Sequence, residues 1–155
     1  MNLVAGDGHR LPFESDSFDL VVAQNAFHHL PEWHRAGLEE IRRVLKPDGT
    51  VIFRDPLRYN PFAWTFRKLF ETRDKTEAEA PLNPVLLRDR LERVFDDVDL
   101  QGNLLFSPVI SLIGNVLPFS LVQPVLYVYR IEQRILKQRG LLLAGQVIGV
   151  ASNPR

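Results

Sequence analysis

Asp19-Leu20-Val21-Val22-Ala23, then a helical recurrence of Trp33, Gly37 or Leu38, Ile41 and Leu45 after Pro31, the stop Lys46-Pro47-Asp48-Gly49, and Thr50-Val51-Ile52-Phe53 together decide the fold. Both short runs are almost continuously apolar, the pattern of parallel strands covered on both faces, and the first is expected to be central in its sheet. Between them the apolar residues fall on one helical stripe, with Glu39 and Arg43 as an i,i+4 pair on the wet side. Proline and glycine at 47 and 49 stop that helix. Strand, crossover helix and strand in this order imply a right-handed parallel unit and hence an α/β sheet.

Working outward, Leu3 to Ala5 reads as a strand end running into Gly6-Asp7-Gly8, where small residues let the backbone turn sharply. Downstream, Asn60 to Phe70 is aromatic-rich, and Phe62, Trp64, Phe66 and Phe70 are spaced as the core face of a short amphipathic helix rather than as a stacking surface for nucleic-acid bases. A polar stretch, Thr72 to Ala80, follows. Asn83-Pro84 supplies an N-cap and first turn for a helix through Phe95, with Leu87, Leu91 and Val94 inward. The remaining elements are a strand over Val98 to Phe106, a helix over Pro124 to Gln138, and a final strand over Ala144 to Ser152. In that helix Val125, Val128, Ile131 and Ile135 are expected inward, and Glu132, Arg134 and Lys137 outward.

The chain has 155 residues, 45% hydrophobic and 25% charged, which suits one domain over 1–155. Its 19 basic and 19 acidic residues cancel, so no overall field gathers polyanions; a small-molecule partner is the natural expectation, and nucleic acid is not. The absence of cysteine excludes disulfides, a thiolate nucleophile and sulfur-rich zinc sites. With no basic n-region and apolar core over Met1 to Arg10, a cytoplasmic location is expected. Leu100 to Tyr129 contains no charged residue, but Pro108, Pro118 and Pro124 interrupt any continuous helix. Three readings of residues 100–129 stand in order: a pocket wall or lid, a membrane-surface or lipid-facing segment, and a membrane span.

Four pieces of text occur in one order over residues 6 to 55: Gly6-Asp7-Gly8 with Leu11-Pro12-Phe13; Ser17-Phe18-Asp19-Leu20-Val21-Val22; Phe27-His28-His29-Leu30; and Arg43-Val44-Leu45-Lys46-Pro47-Asp48-Gly49. In this order and spacing the chain resembles the class I S-adenosylmethionine-dependent methyltransferases, in particular the small-molecule, quinone-pathway-like branch. The resemblance implies a Rossmann-like sheet, S-adenosyl-L-methionine as cofactor, and methyl transfer to a small, apolar acceptor. It also implies that Asp7 and Gly8 meet the adenine edge, a carboxylate and a free N–H matching an exocyclic amine and a ring nitrogen. Taken alone, Asp7-Gly8 would simply make a turn. Gln24 and Asn25 would border the methionine end of the cofactor, or act as loop-capping amides. His28 or His29 would deprotonate or orient an acceptor, or serve in packing at a helix start. No metal site is expected, since neither cysteine nor a carboxylate triad accompanies the histidines.

The sequence departs from the family at its start. The family's acidic strand end with a run of alternating glycines is missing, as is the second strand whose acid holds the ribose; Gly6 and Gly8 already belong to the adenine motif. The chain therefore reads as a family sheet without its first strand-helix units, N-terminally truncated, with Leu3 to Ala5 an orphan strand and an exposed sheet edge open to self-association. The alternatives to an active enzyme are a non-catalytic remnant working as a binding or regulatory subunit, and a gene fragment.

Overall fold

A computed structural model describes residues 3–62, 65, 80–103 and 122–155. Its framework is a 4-stranded sheet in the order β1-β2-β4-β3, with β1 at Phe18–Gln24, β2 at Leu45–Pro56, β3 at Phe95–Asn103 and β4 at Gln146–Pro154. β1 and β2 are parallel, joined through a 3₁₀ turn at Phe27–His29, a π-type turn at Trp33–Gly37 and helix α1 at Leu38–Val44. The expected strand, helix and parallel strand are all present. β4 is antiparallel to both β2 and β3.

Strand parity shows how the sheet meets its core. On β2, Val51, Phe53 and Asp55 are buried while Ile52 and Arg54 are exposed; on β4, Val147 and Ala151 are buried while Ile148 and Val150 are exposed. The buried face packs on Leu38 and Ile41 of α1 and on Leu87 and Leu91 of α2, Pro84–Val94. α2 starts as its sequence requires: Asn83 accepts from the backbone N–H groups of Val85 and Leu86, and Pro84 fills the first helical position. α2 runs directly into β3, and α3, Val122–Arg139, precedes a 3₁₀ turn at Gly140–Leu143 that leads into β4.

Several expectations are corrected. Among the described residues β1 lies at the edge of the sheet, in keeping with the expected exposed edge and not with a central place, and one of its faces is open, with Leu20 50% and Val22 65% exposed. A continuous apolar run announces a strand but does not say whether both faces find cover. Residues 3 to 5 form no strand, since β1 pairs with β2 alone among the described residues. The wet-side pairs of α1 are Glu40 with Arg43 and Glu39 with Arg42, each i,i+3, in place of Glu39 with Arg43. Lys46-Pro47-Asp48-Gly49 is not a separate turn but an irregularity inside β2: Phe18 pairs with Leu45 and Leu20 already with Thr50. On α3, Glu132 and Leu136 are buried and Val128 and Ile131 exposed, so the helix is rotated from the expected face. The third strand starts earlier than expected, at Phe95, and is described to Asn103, while 104–106 lie outside the described residues; the last strand begins at Gln146. Trp64, Phe66 and Phe70, residues 72–79, and 104–121 within the uncharged stretch lie outside the described residues. Among the described residues, no helix is long and apolar enough to cross a membrane.

Gly149 is where the sheet tolerates least change. It lies opposite Phe53 and Leu100, and a Cβ there would run into the Phe53 ring and come within 2.9 Å of Leu100 Cδ2. Gly149→Ala should therefore cost about 1–3 kcal/mol by overpacking. Urea unfolding should show a lower midpoint with an unchanged slope. Adding Phe53→Leu should make the two changes non-additive, because the smaller side chain yields the space that the added methyl group needs; strictly additive effects would show that the ring does not set the constraint.

Candidate functional site

The carboxyl ends of β1 and β2 lie side by side, the place where parallel α/β sheets leave a crevice for ligands. Asp55 stands at the end of β2 with its side chain wholly buried. Its Oδ1 accepts from the His28 backbone N–H at 3.1 Å and lies 2.7 Å from His28 Nδ1. Two contacts to one carboxyl oxygen, from the backbone and from the ring, fix the orientation of the His28 imidazole. Asp55 Oδ2 is buried with no hydrogen-bond partner among the described residues. Such an orphan is rare in a folded interior.

Of the expected residues, His28 is thus brought into a buried pair, while His29, its ring centroid 4.0 Å from that of His28, is exposed. Asn25 turns the chain out of β1 with φ of 50°, and its N–H donates to the Arg54 carbonyl at 2.7 Å. Asparagine is one of the few residues that adopt this left-handed conformation readily. Gln24 is exposed and lines a shallow groove of about 180 Å³ with Val22, Ile52, Arg54 and Ile148.

Asp7 and Gly8 form a tight turn closed by the Arg10 N–H donating to the Asp7 carbonyl at 2.9 Å. Asp7 Oδ1 accepts from the His9 N–H at 2.9 Å and lies 2.9 Å from His9 Nδ1. The backbone hydrogen bond first, and the ring second, hold the Asp7 carboxyl below the usual carboxylate range. The turn is anchored to the crevice by close contact, since a Cβ on Gly8 would lie 2.9 Å from Leu30, the residue that ends the His28–His29 turn. Gly8 therefore joins the neighbourhood of His28 through Leu30.

A second clamp holds the segment that follows. Glu40 Oε2 accepts from the Leu11 N–H at 2.8 Å, and Arg43 donates to the Phe13 carbonyl at 2.8 Å, to the Leu11 carbonyl at 3.0 Å and to both Glu40 oxygens. Neither Asp55 nor Glu40 stood among the expected site residues. The signal for Asp55 was parity: it follows Val51 and Phe53 on the buried side of β2. Among the described residues, no group of three or more metal-ligating side chains converges.

Residues 1–53 match the methyltransferase domain family. The chain is 42% identical over 55 residues to phthiotriol/phenolphthiotriol dimycocerosates methyltransferase 1 of Mycobacterium ulcerans, a stretch covering 36% of this chain and 20% of that relative. The matched stretches span less than a third of the curated relatives' own length. In fold the chain is similar to a SAM-dependent methyltransferase of Thermotoga maritima, with a TM-score of 0.63 at 15% identity over 96% of this chain and 62% of that one. It is also similar in fold to phosphoethanolamine N-methyltransferase 2 of Haemonchus contortus in complex with S-adenosyl-L-methionine, with a TM-score of 0.58 at 14% identity over 96% of this chain and 36% of that one.

The Glu40 clamp generates a pH dependence. Arg43 foremost, aided by the Leu11 N–H, lowers the Glu40 carboxyl from its ordinary 4.5. A carboxyl depressed by folding stabilises the native state above its unfolded value and loses that contribution as the pH falls through the folded one. Glu40→Gln should cost on the order of 1 kcal/mol near neutrality, with the gap to the wild type closing as the pH drops below about 4. Urea melts of both proteins across that range would check this; a gap that stays constant with pH would mean that the charge of Glu40 is not what holds the Leu11–Phe13 segment.

Proposed function

We propose that this chain, whose residues 1–53 match the methyltransferase domain family and whose fold is similar to that of SAM-dependent methyltransferases, carries the acceptor side and the adenine edge of a site for methyl transfer to a small lipophilic molecule. The observation that carries the reading is the buried Asp55–His28 pair at the carboxyl ends of two parallel strands. Support for a lipophilic acceptor comes from the dimycocerosates methyltransferases among the relatives.

In this reading Asp7 and Gly8 hold the adenine edge, and Gln24 and Asn25 border the methionine end. When bound, the cofactor supplies a sulfonium methyl group open to in-line displacement. His28 or His29 orients or deprotonates the acceptor, while Asp55 holds the His28 ring through Nδ1. His29, exposed beside it, is the alternative contact to the acceptor. The residues described fit part of the cofactor: a turn carboxylate with a following N–H suits adenine, but the groove of about 180 Å³ at Gln24 is smaller than the ~300–1,000 Å³ of pockets that enclose a ligand. The open groove also favours a second reading, a non-catalytic binding subunit.

Isothermal titration with S-adenosyl-L-methionine separates the two. A dissociation constant weaker than micromolar is expected, since micromolar binding needs about −8 kcal/mol and the contacts present reach mainly one end of the molecule. Asp7→Ala should abolish the residual binding heat and leave the circular dichroism unchanged. An unaltered constant in that variant would return Asp7 to a simple turn, and no heat with the wild-type chain would favour the binding-subunit reading.

A further inference from the structure

On β3, Leu100 and Gly102 pair with the buried Gly149 and Val147 of β4, so both turn to the helix side of the sheet. Together with Leu136 and Lys137 of α3, Arg88 of α2 and the turn at Gly140 and Leu141, they line a cavity of about 490 Å³. That lies within the ~300–1,000 Å³ of sites that hold small molecules. A Cβ on Gly102 would stand 2.8 Å from that of Ala144, so the strand presents bare backbone there, and nothing lies within 4 Å of where a Cβ on Gly140 would project. The cavity is built on β3, at the opposite edge of the sheet from β1, and shares no residue with the crevice of His28 and Asp55.

The lining divides by chemistry. Leu136 and Leu141 are buried and Leu100 is half-buried, which makes the inner wall apolar. Arg88 and Lys137 are exposed and bring two positive charges, one from each helix. Among the described residues no carboxylate lines the cavity, and Glu132, the one acid in α3, is buried outside its lining. Glu92 accepts from Arg88 at 3.2 Å but belongs to the wall of a neighbouring cavity. Lys137 has no such partner among the described residues. One cation is therefore shared with an acid and the other is uncompensated, which complements a single negative charge rather than a dianion. The Arg88 fork suits the paired oxygens of a carboxylate, and Lys137 adds a point charge. We propose that this cavity binds a small organic carboxylate with an apolar body, its head group at Arg88 and Lys137 and its body on Leu100, Leu136 and Leu141. This inference does not depend on the methyl-transfer reading.

Octanoate is the probe, with acetate as the head group alone and octylamine as the same tail under the opposite charge. Titration of the chain with octanoate should show saturable binding at one site, with acetate and octylamine each weaker by about tenfold or more. In amide nuclear magnetic resonance spectra octanoate should move Gly102, Gly140 and Leu141 and leave Asn25 and His28 in place. Lys137→Glu, an exchange at an exposed helix position, should weaken binding by about tenfold, and Lys137→Arg should retain it. Gln133→Trp, which sets a large ring on the half-buried α3 wall and keeps both cations, should abolish binding; a retained melt in that variant separates a filled cavity from a lost fold. No saturable binding, octylamine held as tightly as octanoate, unchanged binding in Lys137→Glu, or shifts gathered at residues 24–29 would each overturn the proposal.

Discussion

The carboxylate of Asp55 has no access to water, and much of the arrangement around it follows from that constraint. A buried carboxylate without partners is too costly to keep, so β2 can end with one only if another element brings donors to it. His28 brings two, its backbone N–H and its ring, and both require the chain leaving β1 to fold back at once over the end of β2. The left-handed Asn25 makes that reversal, and the 3₁₀ turn presents the donors. Leu30, at the end of the same turn, then becomes the surface on which Gly8 and Gly37 rest. The His28 carbonyl in turn accepts from the Ala80 N–H, tying the start of the Ala80–Asn83 segment to the crevice. One buried charge thus organises three segments distant in sequence.

The pieces of text that carry the family resemblance acquire physical reasons when placed in space. Leu11-Pro12-Phe13 and Arg43 occur together because the guanidinium and Glu40 satisfy the backbone of that loop. Gly6 is required where a Cβ would strike the Pro12 ring, and Gly8 where it would strike Leu30. His28 accompanies Asp55 because each is the other's polar partner. Motifs separated by some 30 residues are therefore halves of single contacts, which explains why their joint occurrence is more informative than any one of them.

What was legible in the sequence was local. The β1–α1–β2 order, the Asn83 cap and the inward Leu87 and Leu91 follow from periodicity and capping, which the chain states within a dozen residues. The open face of β1 was not legible, because an apolar run is the same whether a neighbouring layer covers it or not. Nor was the rotation of α3: its apolar side is broad, and Glu132, which falls within it, was assigned to the wet side by its charge. At the candidate site, the histidines could be suspected from their pairing, but Asp55 could be found only by carrying strand parity two residues past the obvious apolar run.

The same parity divides the labour of the sheet. Val51, Phe53 and Asp55 turn toward the helices, so hydrophobic burial and the polar pair at the crevice share one face and support one another. Packing around Phe53 fixes the strand that carries Asp55, and Asp55 fixes the turn whose Phe27 completes the ring contact with Phe53 at 5.3 Å. The opposite face, with Leu20, Val22, Ile52, Ile148 and Val150, contributes backbone ladder bonds but little burial. Among the described residues cohesion is therefore greatest where β2 and β4 meet the helices and weakest at β1, which pairs with β2 alone. Gln24 and Asn25 leave β1 at this weakly held edge, whereas His28, three residues beyond Asn25, is tied to the centre of the core. Cover over the β1 face would bear first on Gln24 and Asn25, and only through them on the buried pair.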